Sequence, residues 1–247
     1  MTARTLPMLA LLLGLAACGG EGGTGNSAAP AAPVKAATAP AGQSWTEVVE
    51  KTAEGGYRMG NPNAPIKVVE YGSRTCPTCG SFAREGFQPL TENYVATGKV
   101  SFEFRDFLVH GAPDLAAAVT GACGGAAPFF PILEQMYANQ DATLKTLETT
   151  GADFQASLQG ASPTRIATAW AEKLGYDAFV KQRGVPAAKL SQCLSDEAAI
   201  TDATKATEAA MQSGDVTGTP TFYLNGEKVE GVVSWQQLET ALKAAGA

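Results

Sequence analysis

The residues of this chain whose types and spacing could do chemistry are two cysteines, Cys76 and Cys79. A run typical of a buried strand, Ile66 to Tyr71, leads into them, and a helical pattern follows. Pro77 suits the first helical position, where no N–H is needed. The amides of Thr78 and Cys79 are then expected to point toward the Cys76 sulfur. Because free amides and the dipole at a helix start stabilise an anion, the motif predicts an exposed, nucleophilic thiolate at Cys76 and a more buried Cys79.

Glu70 is expected to place a carboxyl group in the core beside these cysteines. It shares a strand face with Ile66 and Val68, and side chains on one face of a strand point the same way. Burial raises the pKa of a carboxyl group, so Glu70 is suited to relay a proton to or from Cys79. The alternative is a strand-end glutamate that reaches solvent, since Glu is rarely fully buried.

The composition leaves thiol chemistry as the main option. Of the 247 residues, 45% are apolar and 17% are charged, which is enough for one substantial core. The formal net charge of -6 argues against a nucleic-acid partner, because phosphate binding needs clustered Lys and Arg. A single histidine, His110, argues against imidazole-rich metal sites and Ser–His or Cys–His hydrolysis. We assign His110 no role, because a strand-end histidine before Gly is usually a solvated loop residue.

Residues 1–17 resemble a signal peptide. Arg4 gives a positive start, and Leu6 to Leu15 form an apolar stretch too short to span a membrane. Leu15-Ala16-Ala17-Cys18 resembles the bacterial lipobox, which predicts cleavage before Cys18 and lipidation of its thiol. The alternative is an ordinary cleavable signal with an incidental cysteine. We expect a periplasmic protein anchored to a membrane. Gly19 after the cysteine weakly favours the outer membrane.

The chain then passes from a linker into ordered structure. Residues 18–43 are expected to form the lipidated cysteine and a disordered linker, since they are mostly Gly, Ala, Pro, Ser and Thr. Ser44 and Glu47 match a capping box, which predicts a short helix from Trp45 to about Ala53. Alternating apolar residues over 100–104 predict a further strand.

The second half of the chain is mainly helical. Ala-rich helical patterns cover residues 112–213. Strands return at Thr221 to Leu224, where Asn225-Gly226 predicts a hairpin to a partner strand, Glu227 to Glu230. A capping box that begins at Ser234 predicts a C-terminal helix.

From about Tyr57 to its end, the chain resembles the DsbA-like thiol:disulfide interchange family, in its lipid-anchored or secreted bacterial branch. The motifs that carry the resemblance are Gly60-Asn61-Pro62, Val69-Glu70-Tyr71, Cys76-Pro77-Thr78-Cys79, Gly218-Thr219-Pro220-Thr221-Phe222 and Asn225-Gly226. The resemblance implies an α/β architecture, a thioredoxin fold with an inserted α-helical domain. Residues 44–111 and 214–247 would form the two parts of the thioredoxin fold, and residues 112–213 the insertion.

The resemblance also implies roles for single residues. The attacking cysteine, the resolving cysteine and the buried acid would be Cys76, Cys79 and Glu70. Substrate would bind beside Thr219 and Pro220, with Pro220 as a cis proline. Pro77 and Thr78 would support the active site. The strongest oxidants of the family carry His at the position of Thr78, so this thiolate is expected to be less stable and the disulfide a milder oxidant, which leaves the direction of electron flow open.

Two further cysteines, Cys123 and Cys193, lie in the helical region. In an oxidising compartment the favoured interpretation is a structural disulfide between them. Two buried free thiols are the alternative. A zinc site built from all four non-lipidated cysteines is a third possibility.

The resemblance implies an extracytoplasmic thiol:disulfide oxidoreductase that introduces disulfides into unfolded exported proteins. It would need no cofactor and no metal, and a membrane redox partner would reoxidise its dithiol. The alternatives are a disulfide reductase or isomerase, and a non-enzymatic copper-binding lipoprotein that uses the same cysteines as soft ligands. We assign no function to the segment from about Asp141 to Gly160.

Overall fold

The computed structural model describes residues 31–247. The predicted signal peptide, Cys18 and the first part of the predicted linker lie outside the described residues. Among residues 31–247, no helix combines the length and the apolar character that crossing a bilayer requires.

The strands of the described chain form one mixed sheet. They are β1 (Val49–Lys51), β2 (Tyr57–Gly60), β3 (Ile66–Gly72), β4 (Val100–Asp106), β5 (Thr221–Leu224) and β6 (Glu227–Lys228). Their order is β1-β2-β4-β3-β5-β6, with β3 and β4 parallel and the other neighbours antiparallel. β3 is therefore central, and its buried residues Ile66, Val68 and Glu70 alternate with more exposed ones.

The helices fall into two groups along the chain. They are α1 (Pro77–Asn93), α2 (Ala112–Ala122), α3 (Ala126–Ala138), α4 (Gln140–Thr149), α5 (Ala152–Ala156), α6 (Pro163–Lys173), α7 (Tyr176–Lys181), α8 (Ala187–Ser195), α9 (Glu197–Gln212) and α10 (Trp235–Ala244). Helix α1 connects the parallel strands β3 and β4, as such a pair requires. Helices α2 to α9 all lie between β4 and β5. The α/β fold with a long helical segment is thus confirmed.

Local signals account for several element boundaries. The Ser162 hydroxyl accepts a hydrogen bond from Arg165 N at the start of α6, and Ser234 and Gln237 form the predicted capping box of α10. Asn225 and Gly226 both have positive φ, at 53° and 88°, which is the backbone of a tight hairpin turn. The predicted hairpin is therefore confirmed, with a second strand shorter than expected.

The predicted helix from Trp45 to Ala53 is wrong. The capping box of Ser44 and Glu47 is present, but it starts only a 3-10 turn over Trp45–Glu47. Val49–Lys51 instead pair antiparallel with β2. The β-branched Val48 and Val49 favour extended backbone, and pairing with a strand already fixed in the sheet outweighs the local helix signal.

The part of the predicted linker that the structure describes, residues 31–43, is attached to the folded domain by hydrogen bonds. Residues 31–43 form neither helix nor strand. The N–H groups of Ala31 and Val34 nevertheless donate hydrogen bonds of 2.9 and 2.8 Å to carbonyl oxygens at and just after the end of α10, and Ala37 N donates to Thr97 O at 3.0 Å. These contacts attach the segment to the folded domain.

Two clusters of buried apolar side chains form the interior. The first lies between the sheet and helices α1, α3 and α10. The second is formed by helices α2, α3, α6, α7, α8 and α9. Helix α3 serves both, because Phe129 and Phe130 lie in the first cluster while Ile132 and Met136 lie in the second. The predicted boundary at residue 112 therefore does not coincide with a division of the core.

Candidate active site

Cys76 is the N-cap of α1, and Pro77 is the first residue of that helix. The backbone amides of Thr78 and Cys79 donate hydrogen bonds to the Cys76 sulfur. Both Cys76 and Cys79 are unbonded within the described chain, so the structure corresponds to the reduced dithiol. The strand-to-helix junction predicted from the sequence is confirmed, and it gathers several donors around one sulfur atom.

Hydrogen bonding lowers the pKa of the Cys76 thiol to about 5. The main cause is the hydrogen bond from the Cys79 thiol; burial acts in the opposite direction, and the Thr219 side chain and the α1 amides add to the lowering. At neutral pH Cys76 is therefore a thiolate. Thr78 contributes through its backbone amide, so the low pKa does not need an imidazole at that position.

Cys76 is less exposed than the sequence predicts. Its residue surface is 8% exposed, against 0% for Cys79. The loop before β5 covers the sulfur, and Cys76 Sγ lies 3.3 Å from the carbonyl oxygen of Thr219. The relative order of the two cysteines is as predicted, since Cys76 is the more exposed of the two.

The Thr219–Pro220 peptide bond is cis, as the resemblance implies. Thr221 pairs with Tyr71 across β5 and β3, which brings the preceding loop alongside Cys76. The protonated Cys76 thiol donates to the Thr219 carbonyl, whereas a thiolate needs a donor. The buried Thr219 hydroxyl, which has no hydrogen-bond partner among residues 31–247, is placed to supply it.

Glu70 is buried, and its pKa lies near 8. Burial is the main cause, and the negative charges of Cys76 and Asp106 raise the pKa further. Its Oε1 atom has no hydrogen-bond partner in the described chain. Burial likewise raises the pKa of Cys79 well above its usual value, together with its hydrogen bond to Cys76 and the charge of Glu70. The buried carboxyl and the buried thiol thus both hold protons at neutral pH.

The loop between β3 and Cys76 contains residues that sequence reasoning missed. Ser73, Arg74 and Thr75 are each at most 1% exposed. The Tyr137 hydroxyl donates to the Ser73 carbonyl at 3.1 Å. Gln140 Nε2 donates to the carbonyls of Arg74 and Cys76, at 3.1 and 2.8 Å. These contacts from α3 and α4 fix the backbone that enters the active site.

Arg74 is a buried positive charge beside the active site. Its guanidinium donates to both carboxylate oxygens of Asp106, with Nε and Nη2 at 2.7 and 3.0 Å. It also lies over the Phe129 ring, with Cζ 5.1 Å from the centroid. Gly121 leaves room for it, because a Cβ atom there would collide with the guanidinium. The sequence signal for the Arg74–Asp106 ion pair was the position of Arg74, a charged residue two positions before Cys76.

Asp114 is a second buried charge that the sequence analysis did not single out. Its Oδ1 atom accepts hydrogen bonds from the Ser73 and Thr75 hydroxyls at 2.8 and 2.6 Å. An aspartate followed by an Ala-rich apolar helix is a signal that was available, since a charge in such a segment is buried with partners.

The structure joins Cys123 to Cys193 by a disulfide bond. Cys123 follows α2 and Cys193 lies on α8, so the bond links two helices of the second cluster. No group of three or more His, Cys, Asp or Glu residues between 31 and 247 is arranged to hold a metal ion.

Comparison with known proteins places the chain among redox proteins of this fold. A family model described as thioredoxin matches residues 52–244. A protein-disulfide oxidoreductase of Rickettsia prowazekii is 25% identical over 189 residues, which are 75% of this chain and 60% of that protein. Disulfide bond formation protein D of Bacillus subtilis is 33% identical over 61 residues, or 25% of this chain and 28% of that protein. The chain spans about 60% of the length of its Rickettsia relatives.

Solved structures show the same architecture. The protein-disulfide isomerase of Novosphingobium aromaticivorans is 26% identical, with a TM-score of 0.71 over 79% of this chain and 97% of that chain. Wolbachia pipientis alpha-DsbA1 is 20% identical, with a TM-score of 0.57 over 75% of this chain and 87% of that chain, and this likeness concerns the fold.

A dithiol at a helix start, faced by a cis proline from a neighbouring strand, defines the thioredoxin class of fold. The family model covers most of the chain, so the chain belongs to the thioredoxin family. The thioredoxin fold that the resemblance of its motifs implies is confirmed by the family model and by the solved structures.

Iodoacetamide is expected to modify the reduced protein at Cys76 with an apparent pKa near 5. The thiolate is the reactive species, so the alkylation rate should level off above about pH 6. Mass spectrometry across pH 4 to 9 would locate the modified residue, and Cys79 should remain unmodified. A midpoint near that of free cysteine, about 8.5, would contradict the geometry described above.

Glu70→Gln is expected to flatten the pH dependence of stability in the oxidised protein, where neither redox cysteine titrates. In the reduced protein the pKa of Glu70 is raised from 4.5 to about 8; burial, the main cause, persists in the oxidised protein, whereas the smaller contribution of the Cys76 charge is lost. The stabilising contribution of Glu70 is therefore complete below about pH 4.5 and is lost as the pH rises toward 8. Between pH 5 and 7 the wild type should lose about 2–3 kcal/mol of unfolding free energy that the variant keeps.

Urea unfolding at pH 5 and pH 7 measures this difference. Glu92→Gln, at an exposed position of α1, is the matched control and should follow the wild type. Parallel pH profiles of wild type and Glu70→Gln would show that Glu70 is not a buried, protonated acid.

Proposed function

We propose that the chain is a thiol:disulfide oxidoreductase that introduces disulfides into exported proteins. The observation that carries this proposal is the pKa of Cys76, about 5, beside a Cys79 whose pKa is raised. A sulfur atom with a low pKa leaves readily from a mixed disulfide, which favours release of an oxidised product. The names of the Rickettsia and Bacillus relatives support the same chemistry.

The exchange begins with the oxidised Cys76–Cys79 disulfide. A substrate thiolate attacks Cys76 Sγ, a mixed disulfide forms, and Cys79 leaves as a thiolate that takes up a proton. Glu70 is the proton source, since its pKa near 8 keeps the carboxyl protonated at neutral pH. A second substrate thiolate then attacks the substrate sulfur of the mixed disulfide and releases Cys76 as a thiolate. Two electrons pass from the substrate to the enzyme, and a membrane redox partner removes them.

The electrostatics favour oxidation over reduction. Thioredoxin combines a cysteine pKa of about 7 with a potential of about −270 mV, and DsbA combines about 3.5 with about −120 mV. The pKa of Cys76 falls between these two cysteine pKa values, so we expect a potential between those of the two proteins. A value below about −250 mV would favour the reductase instead. The Novosphingobium neighbour, named a protein-disulfide isomerase, makes isomerisation the second candidate.

The substrate is an extended thiol-containing peptide that pairs with the backbone beside Thr219 and Pro220. The Cys76 sulfur and the Thr219 carbonyl lie together there, so a peptide bound at this loop meets the reactive atom. The compartment is extracytoplasmic. The Cys123–Cys193 disulfide supports an oxidising environment, and the signal-like residues 1–17 support export.

Cys76→Ser is expected to abolish oxidation of a reduced, unfolded test protein, because the Cys76–Cys79 disulfide that the substrate thiolate attacks can no longer form. Free thiols of the test protein, counted over time with oxidised enzyme in excess, measure the reaction. The double variant Cys123→Ala with Cys193→Ala is the control and should keep activity per folded molecule. Retained oxidation by Cys76→Ser would remove Cys76 from the mechanism.

Lipidation of Cys18 is expected to attach the protein to a membrane. Cells that express the full chain and grow with a radiolabelled fatty acid should yield a labelled protein, and Cys18→Ala should remove the label. A wild-type protein that stays unlabelled and fractionates with the soluble periplasm would contradict the anchor.

A further inference from the structure

His110 lies in the loop after β4, yet its side chain reaches the residue that precedes Cys76. His110 Nδ1 is 2.7 Å from the Thr75 hydroxyl oxygen. The same hydroxyl lies 2.6 Å from Asp114 Oδ1 and donates to it, because a carboxylate only accepts hydrogen bonds. The Thr75 oxygen must therefore accept from His110, so Nδ1 carries a proton in the neutral and in the charged imidazole alike.

Asp114 is the anion beneath this loop. It is 2% exposed, and it also accepts hydrogen bonds from Thr75 N at 3.3 Å and from His110 N at 2.8 Å. Burial by itself raises the pKa of Asp114, but hydrogen bonds from His110, Thr75 and Ser73 outweigh it, and the net pKa is lowered. The carboxylate therefore keeps its charge, and its Oδ2 atom lies 3.6 Å from His110 Nδ1.

His110 responds to two charges. Its pKa is raised, first by the close approach of the Asp114 carboxylate, against burial, and then by the charges of Asp114 and Cys76. These two are the titratable groups that act on it from α2 and from the start of α1. On the α9 side, the Thr207 hydroxyl accepts a hydrogen bond from Leu108 N, two residues before His110. The 47% exposed imidazole thus lies 3.6 Å from a fixed anion, and it contacts Thr75, the residue next to the redox-dependent anion at Cys76.

We propose that His110 is a positioning residue for Cys76 and that its imidazolium charge is coupled to the Cys76 thiolate. The hydrogen bond to Thr75 fixes the residue that directly precedes Cys76. The positive charge of the imidazolium stabilises the Cys76 thiolate and therefore the reduced dithiol. Oxidation of the dithiol removes the thiolate and hence the attraction. The cellular consequence, a pair that oxidises more strongly at a pH low enough to charge His110, rests on the exchange chemistry proposed above.

Coupling between two charges is reciprocal, so it can be measured at either partner. His110 is the single histidine of the chain, and its imidazole signals in an NMR titration are therefore unambiguous in a protein without a histidine tag. The full chain in detergent would be titrated in its reduced and in its oxidised form. The proton affinity of His110 should be about two- to fivefold higher in the reduced form, the range for a partly exposed charge pair. Equal pKa values in the two forms would overturn the proposal.

Two substitutions separate charge from shape. His110→Asn keeps an amide donor near the position of Nδ1 but cannot be charged, whereas His110→Ala loses both properties. In alkylation from pH 4 to 8, the ratio of thiolate to thiol at Cys76 at pH 5 should fall about two- to fivefold in His110→Asn. A wild-type profile for His110→Asn beside an altered profile for His110→Ala would leave His110 a purely structural residue and would overturn the charge coupling.

Asp114→Asn supplies the matched control. It should lower the pKa of His110 in both redox forms while the difference between them persists, because that difference comes from Cys76. None of these measurements requires a protein substrate. A wild type that oxidises thiols but shows equal His110 pKa values rejects this inference alone, and one with unequal values but no exchange activity rejects the proposed function alone.

Discussion

A buried loop that is neither helix nor strand governs this structure. Residues 73–75 are at most 1% exposed, so each of their polar groups and the Arg74 charge must be paired inside the protein. The partners lie on four elements and are Asp106 of β4, Asp114 of α2, Tyr137 of α3 and Gln140 of α4. The helical region therefore supplies three of these four partners and helps to set the position of Cys76.

The same interior shifts two acids in opposite directions. Burial disfavours the ionised form of both Cys76 and Glu70. The Cys76 sulfur meets a thiol donor, a hydroxyl and two backbone amides, and its pKa falls to about 5. Glu70 Oε1 meets no donor within residues 31–247, and the pKa of Glu70 rises to about 8. Hydrogen-bond donors outweigh burial at Cys76, whereas burial dominates at Glu70.

The parts of the molecule that could be predicted from the sequence are those that depend on residues close together in the chain. The helix start at Cys76, the inward face of β3 and the Asn225-Gly226 turn each depend on neighbouring residues. The short helix at Trp45 was mispredicted because Val49 pairs with Met59, which the capping box cannot report. His110 looked like a solvated loop residue because its partner Thr75 lies 35 positions away. The cis bond before Pro220 came from family resemblance and not from the dipeptide itself.

Helix α3 limits how far this protein is modular. One side of α3 contributes Phe129, Phe130, Leu133 and Tyr137 to the interior of the sheet, and the other contributes Ile132 and Met136 to the interior of the helical region. Exchanging the whole insertion for that of another protein would remove the α3 aromatic side chains that pack against the sheet. Grafts and shortened forms should instead keep α2 through α4 with the sheet and vary α5 to α9, since the described hydrogen bonds to residues 73–75 come from β4, α2, α3, α4 and the loop that holds His110.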